Sequence, residues 1–188
     1  MIARYNIFLF KPGDIILDYC GGSAGKSLAL APFTLGKGQL FIHDIRKNIL
    51  IEARRRLRRA SVQNYQLHND KEALRKILKG KCDWILLDVP CSGSGTIRRN
   101  PDLKMKFSLQ RFDELLSIQE TILEEATHFL KPNGKIVYVT CSLIQDENLN
   151  QIVKFCKKFG FKIENETTFQ TVPKSNRMDG FFSATLIK

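Results

Sequence analysis

The order of apolar runs along this chain constrains its fold more than any other feature. Five short runs rich in Ile, Leu and Val alternate with helical patterns, which is typical of a parallel sheet whose strands are joined by helices. The predicted strands are Ile15 to Tyr19, Gln39 to Asp44, Tyr65 to His68, Trp84 to Asp88 and Lys135 to Thr140. Helical patterns begin near Lys26, Lys47, Glu72 and Leu109, and another runs from about Asp146 to Phe159.

The end of the chain follows a different pattern. Two strand-like runs, FKIENET and GFFSATLIK, follow each other with no helix between them. The sequence therefore predicts an α/β fold, a mostly parallel seven-stranded sheet with an antiparallel C-terminal hairpin. Because no linker-like segment interrupts the 188 residues, we expect one domain over residues 1–188.

The composition of the chain indicates which kind of partner it binds and in which cellular compartment it works. Lys and Arg outnumber Asp and Glu by 30 to 19, which favours a polyanion such as nucleic acid, although a charge that only aids solubility is the alternative. The five cysteines are odd in number and lack metal-ligand spacing, which indicates reduced thiols and no metal site. Apolar runs fall far short of the roughly 20 residues of a spanning helix, and no secretory signal is recognisable. We expect a cytoplasmic protein that does not enter a membrane.

Ligands of open α/β sheets bind beyond the carboxyl ends of the strands, so polar residues there are the candidate site. One of them is the loop CGGSAGKS, residues 20–27, which ends like a phosphate-binding P-loop. A P-loop needs four residues between its first Gly and Gly-Lys-Ser, and Cys20 occupies that first position here. A turn without a ligand is one alternative, and a loop that lets a cofactor approach its backbone is the other. Asp44 ends the next strand, where a carboxylate accepts hydrogen bonds from a ribose, so we favour an adenosine-bearing cofactor.

Two cysteines, Cys91 in DVPCSGSG and Cys141 in VYVTCSL, also follow predicted strands. Either one alone could be an inert core residue, but two at one edge of a sheet suggest chemistry. A thiolate can add to C6 of a pyrimidine, which makes C5 electron-rich enough to take a methyl group from a sulfonium donor. An acid at Asp88 could ease the addition by a hydrogen bond to N3 of cytosine, and a base must then remove the C5 proton.

Four segments, LDYCGGSAGKS, DVPCSGSGTIRRNPDLK, KPNGKIVYVTCSLIQDEN and DGFFSATLIK, resemble the Sun-type RNA cytosine-C5 methyltransferases, the family of RsmB. The resemblance runs from about Pro12 to Lys188. It implies a Rossmann-like methyltransferase fold, S-adenosylmethionine as the cofactor, and rRNA or tRNA as the substrate. It also implies that Cys141 attacks C6, that Cys91 assists breakdown of the adduct, and that Asp88 lies where cofactor and base meet.

The same resemblance assigns the cofactor contacts. Asp44 would hold the ribose hydroxyls, and an acidic residue near the adenine would be Asp70 or, with a shift of one residue, Asn69. The residues assigned to the cofactor are Asp18, Cys20, Gly21, Gly22, Ser23, Ala24, Gly25, Lys26, Asp44, Asp70 and Asp88.

The chain departs from the family in two respects. Members usually read Cys-Ala-Ala-Pro-Gly-Gly-Lys-Thr in the cofactor loop, and loss of the Pro with gain of an early Gly should loosen the loop and lower cofactor affinity. Members also carry an upstream helical segment, and often an RNA-binding domain. We therefore expect either a fragment or a chain whose RNA is selected by its basic surface or a protein partner. The alternative function is a catalytically impaired RNA-binding module that keeps the fold.

Two clusters of basic residues are candidates for RNA contacts. Arg98, Arg99, Lys104 and Lys106 follow PCSGSG directly, and we expect them to bind phosphates at the mouth of the site. The other cluster, Ala53 to Arg59, lies on a helix whose apolar positions are predicted to be Ile49, Ala53 and Leu57, so most of its arginines should face solvent. A solvated face is favoured there over an RNA groove. Because the target cytosine must leave its stack to reach Cys141, the predicted substrate is an unpaired or flipped nucleotide.

Overall fold

A seven-stranded sheet is the framework of the protein. The structure is a computed structural model that describes residues 10–173 and 178–188. The strands are β1 Ile15–Asp18, β2 Gln39–His43, β3 Tyr65–His68, β4 Cys82–Asp88, β5 Leu130–Thr140, β6 Lys162–Thr171 and β7 Phe181–Ile187. The helices are α1 Gly25–Leu30, α2 Lys47–Arg59, α3 Lys71–Leu78, α4 Leu103–Lys106, α5 Leu109–Phe129 and α6 Leu149–Phe159.

The strand order is β3-β2-β1-β4-β5-β7-β6. Strand β1 pairs in parallel with β2 and β4, and β2 pairs in parallel with β3. The last strand, β7, is antiparallel to both β5 and β6. The predicted α/β fold, a mostly parallel sheet with an antiparallel C-terminal hairpin, is confirmed.

The chain contacts group into two compact units. The described residues up to Leu86, with His128–Lys135, form unit 1, and Leu87–Thr127 with Ile136–Lys188 belong to unit 2. One domain over residues 1–188 stays a prediction. Within the described residues, no helix combines the length and the apolar character needed to cross a bilayer.

Helix α2 forms because one side of it is apolar. Its buried residues are Leu50, Ala53 and Leu57, while the arginines around them are mostly exposed. The predicted core position Ile49 is wrong, because this residue is only half-buried. The buried side of the helix runs from Leu57 back four residues to Ala53 and a further three residues to Leu50.

Three predicted element starts also differ from the structure, and the smallest difference is in β4, which begins at Cys82 and not at Trp84. Helix α6 begins at Leu149 and not at Asp146, because residues 145–147 form a separate 3₁₀ turn and the backbone at Asn148 leaves the helical region. Strand β5 begins at Leu130, five residues before the predicted start, directly after α5. Polar residues in KPNG hid this extension, since strand patterns are recognised by their apolar residues.

Candidate active site

Unit 1 carries the glycine loop at the end of β1. The strand residues Ile16 and Leu17 are fully buried, and they bring Asp18 to the point where the loop starts. The Ser27 hydroxyl donates a hydrogen bond of 2.5 Å to Oδ2 of Asp18. Two backbone N–H groups of the loop donate hydrogen bonds to residues at the end of β2. Gly21 N donates to His43 O at 2.9 Å, and Gly22 N donates to Asp44 Oδ2 at 3.0 Å. The loop is therefore fastened to the ends of both β1 and β2.

The early glycine of this loop has a steric reason. A Cβ atom at Gly21 would collide with Cγ2 of Ile42 on the neighbouring strand. At the other end of the loop, Ala24 has a φ of 63°, a left-handed conformation that costs about 1–2 kcal/mol for a residue with a side chain. Close packing thus requires a glycine at position 21, and contacts elsewhere must hold the strained end at Ala24.

Arg56 of α2 supplies such contacts. Its Nη1 donates one hydrogen bond of 2.9 Å to the backbone oxygen of Ser23 and another of 2.7 Å to the Ser23 hydroxyl. Ser23 stands directly before the left-handed Ala24. The sequence-based expectation of a solvated arginine cluster is therefore incomplete, since this arginine is half-buried and holds the candidate cofactor loop.

Asp44 follows β2 and is 5% exposed. Its carboxylate accepts hydrogen bonds of 2.9 Å from the backbone N, Nε and Nη2 of Arg46, in addition to the one from Gly22. Burial raises the pKa of Asp44, but the hydrogen bonds and positive charge of Arg46, with the Gly22 N–H, outweigh it and lower the pKa below its usual value. Asp44 is consequently a carboxylate at neutral pH.

An adenosine-bearing cofactor fits the residues of this loop. Gly22, with a φ of +52°, exposes its backbone where a Cβ atom would come within 4.0 Å of Asp44 Oδ2, so a ligand can approach both groups closely. Ribose hydroxyls are donors that match the Asp44 carboxylate. The guanidinium of Arg46 now occupies that carboxylate, but its side chain is 61% exposed and can rotate into solvent.

The corner after β3 has a structural role of its own. Oδ1 of Asp70 accepts hydrogen bonds from the backbone N–H groups of Glu72 and Ala73, at 2.9 and 3.1 Å, and so caps the N-terminus of α3. Asp70 and Asn69 are both exposed. Contact of either residue with an adenine stays a prediction.

Unit 2 brings the two predicted thiols together. The Sγ atoms of Cys91 and Cys141 are 3.3 Å apart and share a hydrogen bond, although 50 residues separate them in the sequence. This hydrogen bond, burial and the negative charge of Cys141 raise the pKa of the Cys91 thiol well above its usual value. Cys91 is therefore a protonated thiol at neutral pH.

Serine hydroxyls join the two loops that carry these thiols. The Ser142 hydroxyl lies 3.2 Å from that of Ser92 and 3.0 Å from that of Ser94. The backbone adds further links, from Gly95 N to Cys141 O at 2.9 Å and from Leu143 N to the Ser94 hydroxyl at 2.8 Å. The separation of the thiols is thus set by several hydrogen bonds on both sides.

Glu147 holds the loop of Cys91 through hydrogen bonds. Its fully buried carboxylate accepts hydrogen bonds from the backbone N of Ser92 at 2.7 Å, the Ser92 hydroxyl at 2.5 Å and Nε2 of Gln119 at 3.0 Å. Gln119 also donates to the backbone oxygen of Pro90, at 3.0 Å. Ser92 is therefore held by Glu147 and Pro90 by Gln119, two residues that sequence reasoning did not single out.

The remaining predicted site residues of unit 2 are Asp88 and four cations. Asp88 is half-buried and ends β4, three residues before Cys91. Arg98 and Arg99 form ion pairs with Asp179, and Lys106 pairs with Asp102. Lys104 is exposed. Three of the four cations predicted to bind RNA are therefore engaged with carboxylates.

The fold and site define a class of protein. A SAM dependent methyltransferase from Aquifex aeolicus has a similar structure, with a TM-score of 0.63 over 95% of this chain and 84% of that chain at 14% identity. NSun6 from Pyrococcus horikoshii, solved with the S-adenosylmethionine analogue SFG, gives a TM-score of 0.81 at 28% identity over 93% of this chain and 48% of that chain. The chain has the Rossmann-like fold of S-adenosylmethionine-dependent methyltransferases.

Family membership follows from the sequence comparisons. The chain belongs to the family described as 16S rRNA methyltransferase RsmB/F, whose model matches residues 7–187. Ribosomal RNA small subunit methyltransferase B of Shewanella oneidensis is 33% identical over 99% of this chain and 46% of its own length. Methyltransferase F of Aeromonas salmonicida is 30% identical over 89% of this chain and 35% of its own length. The chain thus spans less than half of these relatives. S-adenosylmethionine, the cofactor predicted from the sequence, agrees with this fold and family.

Proposed function

We propose that this chain methylates C5 of cytosine in RNA through a covalent adduct between Cys141 and C6 of the base. The observation that carries the proposal is the pair of thiols 3.3 Å apart, of which Cys91 keeps its proton. Cys141 is then the sulfur available to attack. S-adenosylmethionine, when bound, supplies a methyl group on a positively charged sulfur atom. The relatives are named as methyltransferases of small-subunit ribosomal RNA, so rRNA is the first substrate to test.

The chain's own residues divide the remaining tasks. Attack by the Cys141 thiolate forms the sulfur–C6 bond and moves an electron pair towards C5 and N3, and Asp88 is the residue that would contact N3. C5 would then take the methyl group, and the sulfur that carried it would leave as a neutral thioether. Asp44 would hold the ribose of the cofactor after Arg46 has turned away from it.

The thiol pair also provides the base for the last step. Once Cys141 carries the base as a thioether, it no longer bears a negative charge and no longer accepts the proton of Cys91. Two of the causes that raise the pKa of Cys91 are then removed. Cys91 can ionise, take the proton from C5, and so allow the sulfur–C6 bond to break as the C5–C6 double bond returns.

The test is to trap the adduct with RNA in which cytosine is replaced by 5-fluorocytosine, because fluorine at C5 cannot be removed as a proton. We expect a covalent protein–RNA complex on a denaturing gel with the unaltered chain and with Cys91→Ala, and none with Cys141→Ala. With ordinary RNA, only Cys91→Ala should accumulate the adduct. A complex that persists in Cys141→Ala would refute the assignment of the nucleophile, and a chain that binds RNA without any adduct would be the RNA-binding module. It would act on RNA in the cytoplasm.

A further inference from the structure

The positive charge of this protein is confined to one of its two units. Among described residues, unit 1 holds 17 Lys and Arg against 7 Asp and Glu, whereas unit 2 holds 10 against 12. The described part of the unit that carries the cofactor loop thus has a formal charge of +10, close to the +11 of the whole chain. Such a one-sided excess is the electrostatic signature of a surface for a polyanion.

Helix α2 concentrates this charge on its solvent side. Leu50, Ala53 and Leu57 are buried, Arg56 reaches the glycine loop and the exposed Arg55 pairs with Glu52. The remaining exposed arginines of the helix are Arg54, Arg58 and Arg59. We call these three residues the α2 basic face. None of them has an ion pair in the part of the chain that the structure describes, and the helix's single acidic residue, Glu52, pairs with Arg55 at 3.8 Å.

The cations first expected to bind RNA differ in this respect. Arg98 and Arg99 share Asp179, and Lys106 pairs with Asp102, so each must give up a carboxylate before it can bind a phosphate. The arginines of the α2 basic face have no such competitor. A cation without a local partner attracts counterions instead, and their release favours binding of a nucleic-acid backbone.

We propose that the α2 basic face binds the phosphate backbone of the RNA substrate. The proposal rests on the proposed function for the choice of RNA as the polyanion. Phosphate contacts of this kind position the RNA without reading its bases. An anionic lipid surface is less suited, because a helix that lies on a bilayer inserts its apolar side, and the apolar side of α2 is buried in the protein.

The experiment compares two triple variants that remove the same charge. Arg54→Gln, Arg58→Gln and Arg59→Gln together neutralise the α2 basic face. Lys154→Gln, Lys157→Gln and Lys158→Gln neutralise three exposed cations of α6, two of which pair with Glu120 and Glu124. The affinity of each for an unstructured RNA oligonucleotide is measured by fluorescence anisotropy over a series of salt concentrations, without cofactor.

We expect the α2 variant to bind more weakly and its dependence of log K on log salt to flatten by about 2, since each lost contact to a single strand contributes roughly 0.7. The α6 variant should keep the slope of the unaltered chain, and an Arg→Lys triple on α2 should keep most of the affinity. Equal weakening by both Gln triples, or an unchanged α2 variant, would overturn the proposal. The proposal would also be overturned if, in a separate binding assay with phosphatidylserine vesicles, the α2 Gln variant lost binding to the vesicles but kept its binding to RNA. This experiment measures RNA affinity and not adduct formation. Its outcome for the α2 basic face is therefore independent of the proposed methylation chemistry.

Discussion

Glu147 has a buried carboxylate that accepts three hydrogen bonds. Two come from Ser92, which is next to Cys91, and one comes from Gln119, which supports the same segment. Its own backbone oxygen accepts a hydrogen bond of 2.7 Å from the hydroxyl of Tyr138, which is also fully buried. A buried acceptor is stabilising only while its donors stay in place, because each lost partner leaves a desolvated polar group. The geometry of the thiol pair therefore depends on this residue.

Replacing Glu147 by Ala should lower the free energy of unfolding by about 3 kcal/mol, because the N–H and hydroxyl of Ser92 lose their acceptor inside the protein. Chemical denaturation monitored by circular dichroism measures the change. The matched control is Asp146→Ala, an exposed carboxylate on the same turn, for which the change should stay within about 0.5 kcal/mol. Similar stabilities for the two variants would show that the buried network contributes nothing.

Sequence patterns predicted some residues of the candidate site and could not predict others. Cys141 and Asp44 stand directly after strands and Cys91 stands three residues after one, where the fold itself predicts ligand contacts. Arg56 and Glu147 act on partners 33 and 55 residues away, so their roles depend on tertiary contacts that no local pattern contains. Arg46 lies only two residues from Asp44, but nothing in the sequence shows that its side chain turns back onto that carboxylate.

At the scale of elements, helix α2 serves two sides of the molecule. Its apolar stripe packs inside, Arg56 reaches back to Ser23, and the α2 basic face points to solvent. The sequence predicts a loose cofactor loop, since it lacks the proline of its relatives. The contact with Arg56 offsets part of that loss, because it restrains the residue that stands where the proline would be.

We expect Arg56→Ala to weaken binding of S-adenosylmethionine about tenfold, equivalent to roughly 1.4 kcal/mol, because the loop must then lose more conformational freedom on binding. Isothermal titration calorimetry gives the dissociation constant. Arg55→Ala, which removes a neighbouring exposed arginine, should bind as the unaltered chain does. Addition of Ser23→Ala to Arg56→Ala should cost little more, and fully additive losses would show that the two residues act separately.

At the scale of the whole molecule, the alternation of strands and helices was sufficient to predict the sheet and its antiparallel hairpin. The short helix α4 and the early start of β5 were not predicted, because four residues carry no periodicity and KPNG carries no apolar alternation. The pairing order β3-β2-β1-β4 follows from the usual winding of such folds, whereas the exact register depends on packing between strands.

Hydrogen bonds within unit 1 join the glycine loop to Asp18 and Asp44, so we expect the chain of 188 residues to bind S-adenosylmethionine without any further polypeptide. Calorimetric titration should give a measurable heat with one site per chain. Asp44→Ala should abolish it through loss of the ribose acceptor, and Glu72→Gln, an exposed change in the same unit, should not. Absence of heat with the unaltered chain would favour the RNA-binding module.

The contact between the thiols of Cys91 and Cys141 has a consequence beyond the proposed catalysis. Hydrogen peroxide oxidises a thiolate to a sulfenic acid, and a second thiol at hydrogen-bond distance then condenses with it, releasing water and leaving a disulfide. With their sulfur atoms 3.3 Å apart, Cys141 and Cys91 meet that condition. We therefore expect the protein to form this disulfide on exposure to peroxide or air, so that a preparation used to test activity has to be kept under a reductant.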